Sequence, residues 1–259
     1  MARIIAVANQ KGGVGKTTTC VNLAASLAAN RRRVLLVDMD PQGNATIGSG
    51  VDKDDLAVTN YDILVHQRPV DDALCRVEQA GYDLLPANGD LTAAEVALMD
   101  STGRERRLRE LLRPKCDHYA YILIDCPPSL NILTVNALVA AQRVLIPIQC
   151  EYYALEGLTA LLDTIRQVQS SVNQELEIEG LLRTMFDPRN NLANQVGEQL
   201  TEHFADKVYR TLIPRNVRLA EAPSYGKPAL QYDRTSRGAI AYMALASEML
   251  RREAAVQVR

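Results

Sequence analysis

Residues 3–30 read RIIAVANQKGGVGKTTTCVNLAASLAAN, an apolar run, then a turn of glycines and lysines, then an Ala/Leu-rich stretch. This order constrains the fold more than any other feature of the chain. An apolar run without polar alternation suits a strand covered on both faces, which is the habit of parallel sheets. The turn ends in Gly15-Lys16-Thr17 and fits the close of the phosphate-loop spacing G-x-x-x-x-G-K-[ST], although Gln10 stands where the first glycine belongs. Gly12, Gly13 and Gly15 permit positive φ, so the backbone from Gly12 through Val14 to Thr18 can wrap an anion with its N–H groups. The helix expected from Lys16 onward points its positive end at the same place. In this pattern the Lys16 ammonium meets the outer phosphates and the Thr17 hydroxyl a magnesium ion. Lys11, five residues before Lys16, has no role in it.

The remaining chain repeats the alternation. Strands are expected at 3–9, 33–40, 82–87, 119–126, 143–150, 178–187 and 208–214. Helices are expected at 16–30, 92–100, 104–113, 130–141, 155–169, 194–204 and 237–253. Such alternation implies right-handed crossovers and an α/β fold with a doubly wound, mostly parallel sheet carrying helices on both faces. With 259 residues and no linker or repeat, one domain spanning 1–259 is expected. Residues 48–79 are the least periodic and read as a peripheral insertion or mobile region.

Ligands of open α/β sheets bind beyond the carboxyl ends of the strands, and three aspartates are expected there. YILID ends in Asp125, placed to hold magnesium through water; LLVDMDPQG offers Asp38 and Asp40 before a Pro/Gly turn able to shift with nucleotide state. Asp40 is the candidate for orienting an attacking water. Capping or turn formation is the competing role for all three.

Composition excludes several classes. No run approaches the ~20 apolar residues of a membrane span, and the amino terminus has no signal-peptide pattern. Five scattered cysteines without a C-x-x-C pair argue for a reducing compartment and against a disulfide or zinc framework. His66, His118 and His203 are too dispersed for a metal cluster. The net charge is −2, yet residues 183–237 hold nine Lys/Arg against six Asp/Glu, enough for a local basic face.

KGGVGKTTT, with both lysines, resembles the deviant phosphate loop of the ParA/MinD ATPase superfamily. DMDPQGNAT, DCPPSL, PIQCEYYALEGL and IPRNVRLAEAPSYGKP narrow the resemblance to chromosome-partitioning ParA proteins of the Soj type, over nearly the whole chain. The resemblance implies a weak, magnesium-dependent ATPase in which two subunits sandwich two ATP molecules. Lys11 would then reach phosphate held by the partner, as an arginine finger does. It also implies that Thr17 ligates magnesium, Thr18 contacts the α-phosphate, and Asp40 orients water. Asp125 and Pro127 of DCPP would sense the γ-phosphate, and Pro214 and Asn216 would border the adenine.

The same resemblance implies that the ATP dimer binds double-stranded DNA without sequence preference, in the cytoplasm on the nucleoid. A ParB-type centromere-binding protein would stimulate hydrolysis and release. Arg189 and Arg218 would belong to the DNA surface; Arg215, Lys227, Arg234 and Arg237 are weaker candidates. The scarcity of aromatics among them suits phosphate contact better than base stacking. A MinD-like membrane switch is the alternative, and needs a terminal amphipathic helix that LASEMLRREAAVQVR supplies poorly. Iron-protein relatives need cluster-binding cysteines, and small-molecule synthetases such as dethiobiotin synthetase share the loop but not Lys11 or IPRNVRL.

Overall fold

The computed structural model describes residues 2–99 and 101–257. Seven strands form one sheet in the order β3-β4-β2-β5-β1-β6-β7. They are β1 (Arg3–Val7), β2 (Val34–Asp38), β3 (Cys75–Val77), β4 (Tyr82–Leu85), β5 (Tyr121–Asp125), β6 (Arg143–Gln149) and β7 (Glu177–Thr184). All pairings are parallel except β3 against β4.

The apolar runs are continuous because every strand but the edge strand β3 feeds two cores. Ile4, Ala6, Leu35, Val37, Ile122 and Ile124 enter one; Ile5, Val7, Val34, Leu36 and Leu123 enter the other. The first core is roofed by α3 (Asn60–His66), α4 (Leu91–Ala97), α5 (Arg107–Leu112), α6 (Ile132–Ala140), α7 (Ala154–Ser171) and α8 (Asn191–Phe204). The second is roofed mainly by α1 (Lys16–Ala29) and the terminal helix α11 (Arg237–Gln257), with α2 (Asn44–Gly48), α9 (Val217–Glu221) and α10 (Ala229–Tyr232) at its margin. This is the doubly wound arrangement expected, with strand and helix bounds moved by a few residues.

Three expectations change. Residues 48–79, read as a peripheral insertion or mobile region, contain the edge strand β3 and helix α3, and Ile63 and Leu64 of α3 are fully buried. Helix α3 starts in a reciprocal cap, the Thr59 side chain accepting from the first turn and the Asp62 carboxylate accepting from the Thr59 N–H at 3.0 Å. The period of a seven-residue helix is too short to stand out in sequence. The strand expected at 208–214 is broken: it forms isolated bridges, Leu181 of β7 with Val208 and Phe186, beyond β7, with Pro214. Its middle is diverted because the Arg210 and Thr211 N–H groups donate to the Glu248 carboxylate at 3.0 and 2.9 Å instead of to a strand. The helix expected at 104–113 splits into a 3₁₀ turn at Arg104–Arg106 and then α5. Asp100, the expected last residue of the helix at 92–100, lies outside the described residues.

Candidate nucleotide site

Parallel register sets the floor of the site. Val7, Asp125 and Asp38 are neighbours at the carboxyl ends of β1, β5 and β2. The chain leaves Val7 into the glycine loop, so the loop stands directly above the two aspartates. Gly13 and Gly15 have φ of +73° and +89°, which a side chain would strain. Gly15 is the residue before α1, and no side chain caps that helix. The amides of its first turn therefore face the loop without a protein acceptor of the capping kind.

The loop is pinned at both ends. Asn9 accepts from the Lys11 N–H at 3.0 Å and donates from Nδ2 to the Pro147 carbonyl at 2.7 Å, tying the entrance to β6. The Thr184 hydroxyl donates to the Val14 carbonyl at 2.7 Å, tying the exit to β7. Gly12 and Gly13 lie exposed between these ties.

The two lysines diverge. Lys16 is buried, its Nζ donating to the Lys11 carbonyl at 3.3 Å. Burial lowers its pKa, opposed by the negative field of Asp125 and Asp40. Lys11 pairs instead with Glu151, with Nζ 2.5 Å from Oε2 and about two-fifths of the side chain exposed. Glu151 follows β6, far from the loop in sequence.

The three aspartates also differ. Asp38 is saturated: its carboxylate accepts from the Asp40 N–H, the Thr46 N–H and the Thr46 hydroxyl. Asp40 is 8% exposed and accepts at Oδ1 from the Gln42 N–H at 3.0 Å, within the turn before α2. Asp125 is fully buried and accepts at Oδ1 from the Cys20 thiol at 3.5 Å, while Oδ2 has no hydrogen-bond partner. Burial first, and for Asp125 then the neighbouring Asp38, push both fully buried carboxyls above the ordinary carboxylate range. The Thr17 hydroxyl faces Asp125 and opposes that shift. Cys126 and Pro127 continue from β5 as buried residues. The arrangement is a pocket for an anion whose floor is two crowded carboxylates, and a divalent cation between anion and floor would relieve the crowding.

On the far side, the Ile213 and Phe186 N–H groups exchange bonds with the Arg183 and Ile213 carbonyls, fixing the 213–216 loop beside β7. Pro214 is half-buried there, and Asn216 carries a buried Oδ1 without a partner. Arg215 lines a neighbouring cavity of 160 Å³ together with Glu151, Met185 and Asp187.

The basic candidates divide unexpectedly. Arg189 is held by Asp187, Nη2 to Oδ2 at 2.8 Å, and that ion pair holds the Asp187 carboxyl down at about 2. Arg218 pairs with Glu221 at 2.7 Å and Asp233 at 3.4 Å. Arg215, Lys227, Arg234 and Arg237 are exposed, and among the described residues none has an ion-pair partner.

Residues 2–178 match the family model of an AAA domain. The chain is 55% identical to the sporulation initiation inhibitor protein Soj of Bacillus subtilis, over 96% of this chain and 98% of that one. It is 53% identical to the chromosome partitioning protein ParA of Myxococcus xanthus, over 98% and 89%. The chain belongs to the ParA/Soj family of chromosome-partitioning ATPases.

Solved structures place this ParA/Soj chain among related ATPases. A Mycobacterium smegmatis protein named cobyrinic acid a,c-diamide synthase, crystallised with ADP and magnesium, superposes with a TM-score of 0.85 at 40% identity, covering 97% of this chain and 95% of that one. The cell division ATPase MinD of Pyrococcus furiosus superposes at 0.80 with 28% identity, covering 97% and 99%. In this ParA/Soj chain Ala239, Tyr242, Leu245, Ala246 and Met249 of α11 are buried in the core shared with α1, so the apolar face of the terminal helix is already occupied. No helix among the described residues is long and apolar enough to cross a membrane.

Asn9, Glu151, Thr184 and Cys20 belong to the site, and the sequence did not single them out. Asn9 adjoins the motif and could have been found as the turn-forming residue that opens it. Glu151 and Thr184 reach the loop only through the sheet order, which no local pattern carries.

Proposed function

We propose that this single domain is a slow magnesium-dependent ATPase whose ATP-bound form dimerises, grips double-stranded DNA without sequence preference, and lets go after hydrolysis. The observation that carries the reading is the divergence of the two lysines: Lys16 is buried over the carboxylates, and Lys11 is turned outward to an exposed partner.

The residues fit ATP and magnesium. Asp125 Oδ2 and Asn216 Oδ1 are buried acceptors without donors; a magnesium-bound water would satisfy the first and an adenine amino group the second. When bound, magnesium supplies positive charge to the phosphates. Thr17 would ligate it and Asp125 would hold it through water. The amides of Gly12, Gly13, Val14 and Gly15 and the Lys16 ammonium would bind the phosphates, Thr18 the α-phosphate, and Pro214 and Asn216 the base. Asp38 would fix the turn that carries Asp40, and Asp40 would orient the attacking water. Lys11 is engaged by Glu151 and must leave it to reach a partner's phosphate. That supports a weak intrinsic rate, raised when Lys11 moves to the partner's phosphate and when a ParB-type protein engages the dimer. Asp125 and Pro127, at the end of β5, would report the γ-phosphate.

Arg189 and Arg218, with Arg215, Lys227, Arg234 and Arg237, would form the DNA face. Each patch is weak alone, and two held together gain effective concentration. DNA and nucleoid association follow from this face, in the cytoplasm. The M. smegmatis structure's name raises a synthetase as a second reading; one assay separates the two. Retention on immobilised DNA is expected with ATP and not with ADP or without nucleotide, and Lys11→Ala should keep ATP binding while losing retention. Retention that ignores nucleotide, or that survives Lys11→Ala, contradicts the clamp.

A further inference from the structure

Cys20 lies one helical turn beyond Lys16 on the same face of α1, and Thr17 shares that face. The thiol is fully buried. It donates to Asp125 Oδ1 at 3.5 Å, while the Thr17 hydroxyl faces the same carboxylate from the adjoining turn. The other oxygen, Oδ2, is buried and empty of partners. A carboxylate torsion is broad and roughly two-fold, so an aspartate without a donor on one oxygen can present either to its ligand. Asp38, the register neighbour of Asp125, is no substitute, since its carboxylate is consumed by Asp40 and Thr46.

We propose that Cys20 is a positioning residue: its S–H engages Oδ1 of Asp125 and thereby aims Oδ2 at the magnesium-bound water. The inference rests on the magnesium-ATP reading above and adds to it the group that selects which oxygen serves the cation. A thiol is a weak donor, so it orients the carboxylate without competing strongly for its charge. A hydroxyl at the same position can do the same; a methyl group cannot. Groups that orient metal-binding side chains are worth about 10–100-fold in metal affinity, and a thiol belongs at the lower end.

The test measures binding and needs no turnover. Fluorescent ADP is titrated with magnesium against the wild type, Cys20→Ala and Cys20→Ser. Cys20→Ala is expected to require about tenfold more magnesium, Cys20→Ser to match the wild type, and all three to bind ADP alike in chelator. Alongside, the infrared S–H stretch of Cys20 is isolated as the wild type minus Cys20→Ser difference. It is expected at a hydrogen-bonded frequency without metal and to shift when magnesium and ADP are added. Wild-type magnesium dependence in Cys20→Ala overturns the proposal. So does equal impairment of both variants, which signals packing, and so does a free, unmoved S–H band. If ADP binding by the wild type itself ignores magnesium, the metal reading falls and the role of Cys20 falls with it.

Discussion

The floor of the nucleotide site and the basic segment at 183–237 handle charge in opposite ways. At the floor, Asp38, Asp125 and Lys16 are buried, and strand register forces the two aspartates together. Burial lowers the Lys16 pKa and raises those of both aspartates. In the basic segment Arg189 and Arg218 are exposed and paired with carboxylates, Asp187 for the first and Glu221 and Asp233 for the second. Exposed pairs of this kind are weak, so on the proposed DNA face phosphates would displace them cheaply. On the proposed reading this is a division of labour: the buried site would supply affinity for nucleotide, and the surface would grip DNA only when two copies combine.

The largest expected effect lies at the floor. Asp40→Ala should lower ATP hydrolysis on the order of a thousandfold, within the usual range for a lost acid–base or water-orienting group, with ATP binding retained; turnover at the wild-type rate would remove Asp40 from the role. Lys16→Ala should weaken ATP binding on the order of a hundredfold, the worth of a strong charge-assisted hydrogen bond. Normal affinity by equilibrium dialysis would contradict the phosphate-loop assignment. On the surface, Arg189→Ala with Arg218→Ala should weaken DNA binding about tenfold and flatten its dependence on salt. ATP-dependent dimerisation should survive; if DNA binding is unchanged, the four unpaired cations carry the face instead.

The smallest effects sharpen the contrast. Asp187→Asn keeps the Oδ1 acceptor used by the Arg189 N–H, at 3.0 Å, and removes the charge. It should raise DNA affinity by up to about fivefold, the limit set by an exposed ion pair. Glu151→Gln should release Lys11 and favour the ATP dimer by a similar margin, read by sedimentation at graded protein concentration; a weakened dimer would mean that Glu151 supports the interface and does not restrain Lys11.

The two regions were unequally legible. β1, the glycine loop and α1 stood out because a strand buried on both faces and a helix beginning at Lys16 leave dense, local patterns. Asp125 was readable because its strand ends there. The partners that complete the site were not: Glu151 and Thr184 meet the loop through the neighbourhood of β1, β6 and β7, a long-range fact. The pairing of Arg189 with Asp187 turns on two side chains in one exposed turn, where periodicity says nothing. Residues 208–214 misled for a related reason, since their β-like composition yields to a single distant carboxylate on α11, Glu248. Residues 48–79 misled by brevity, although Asn60 of that stretch donates to the Asp38 carbonyl and so reaches the site itself.

The central claim is that triphosphate, by drawing Lys11 off Glu151 and across to a second copy, makes the dimer. Sedimentation velocity of Asp40→Ala with magnesium and ATP, beside the double variant Asp40→Ala, Lys11→Ala, tests it most directly. The account predicts a dimer for the first and monomers for the second, with both binding ATP. Monomers for both, or dimers for both, would contradict it.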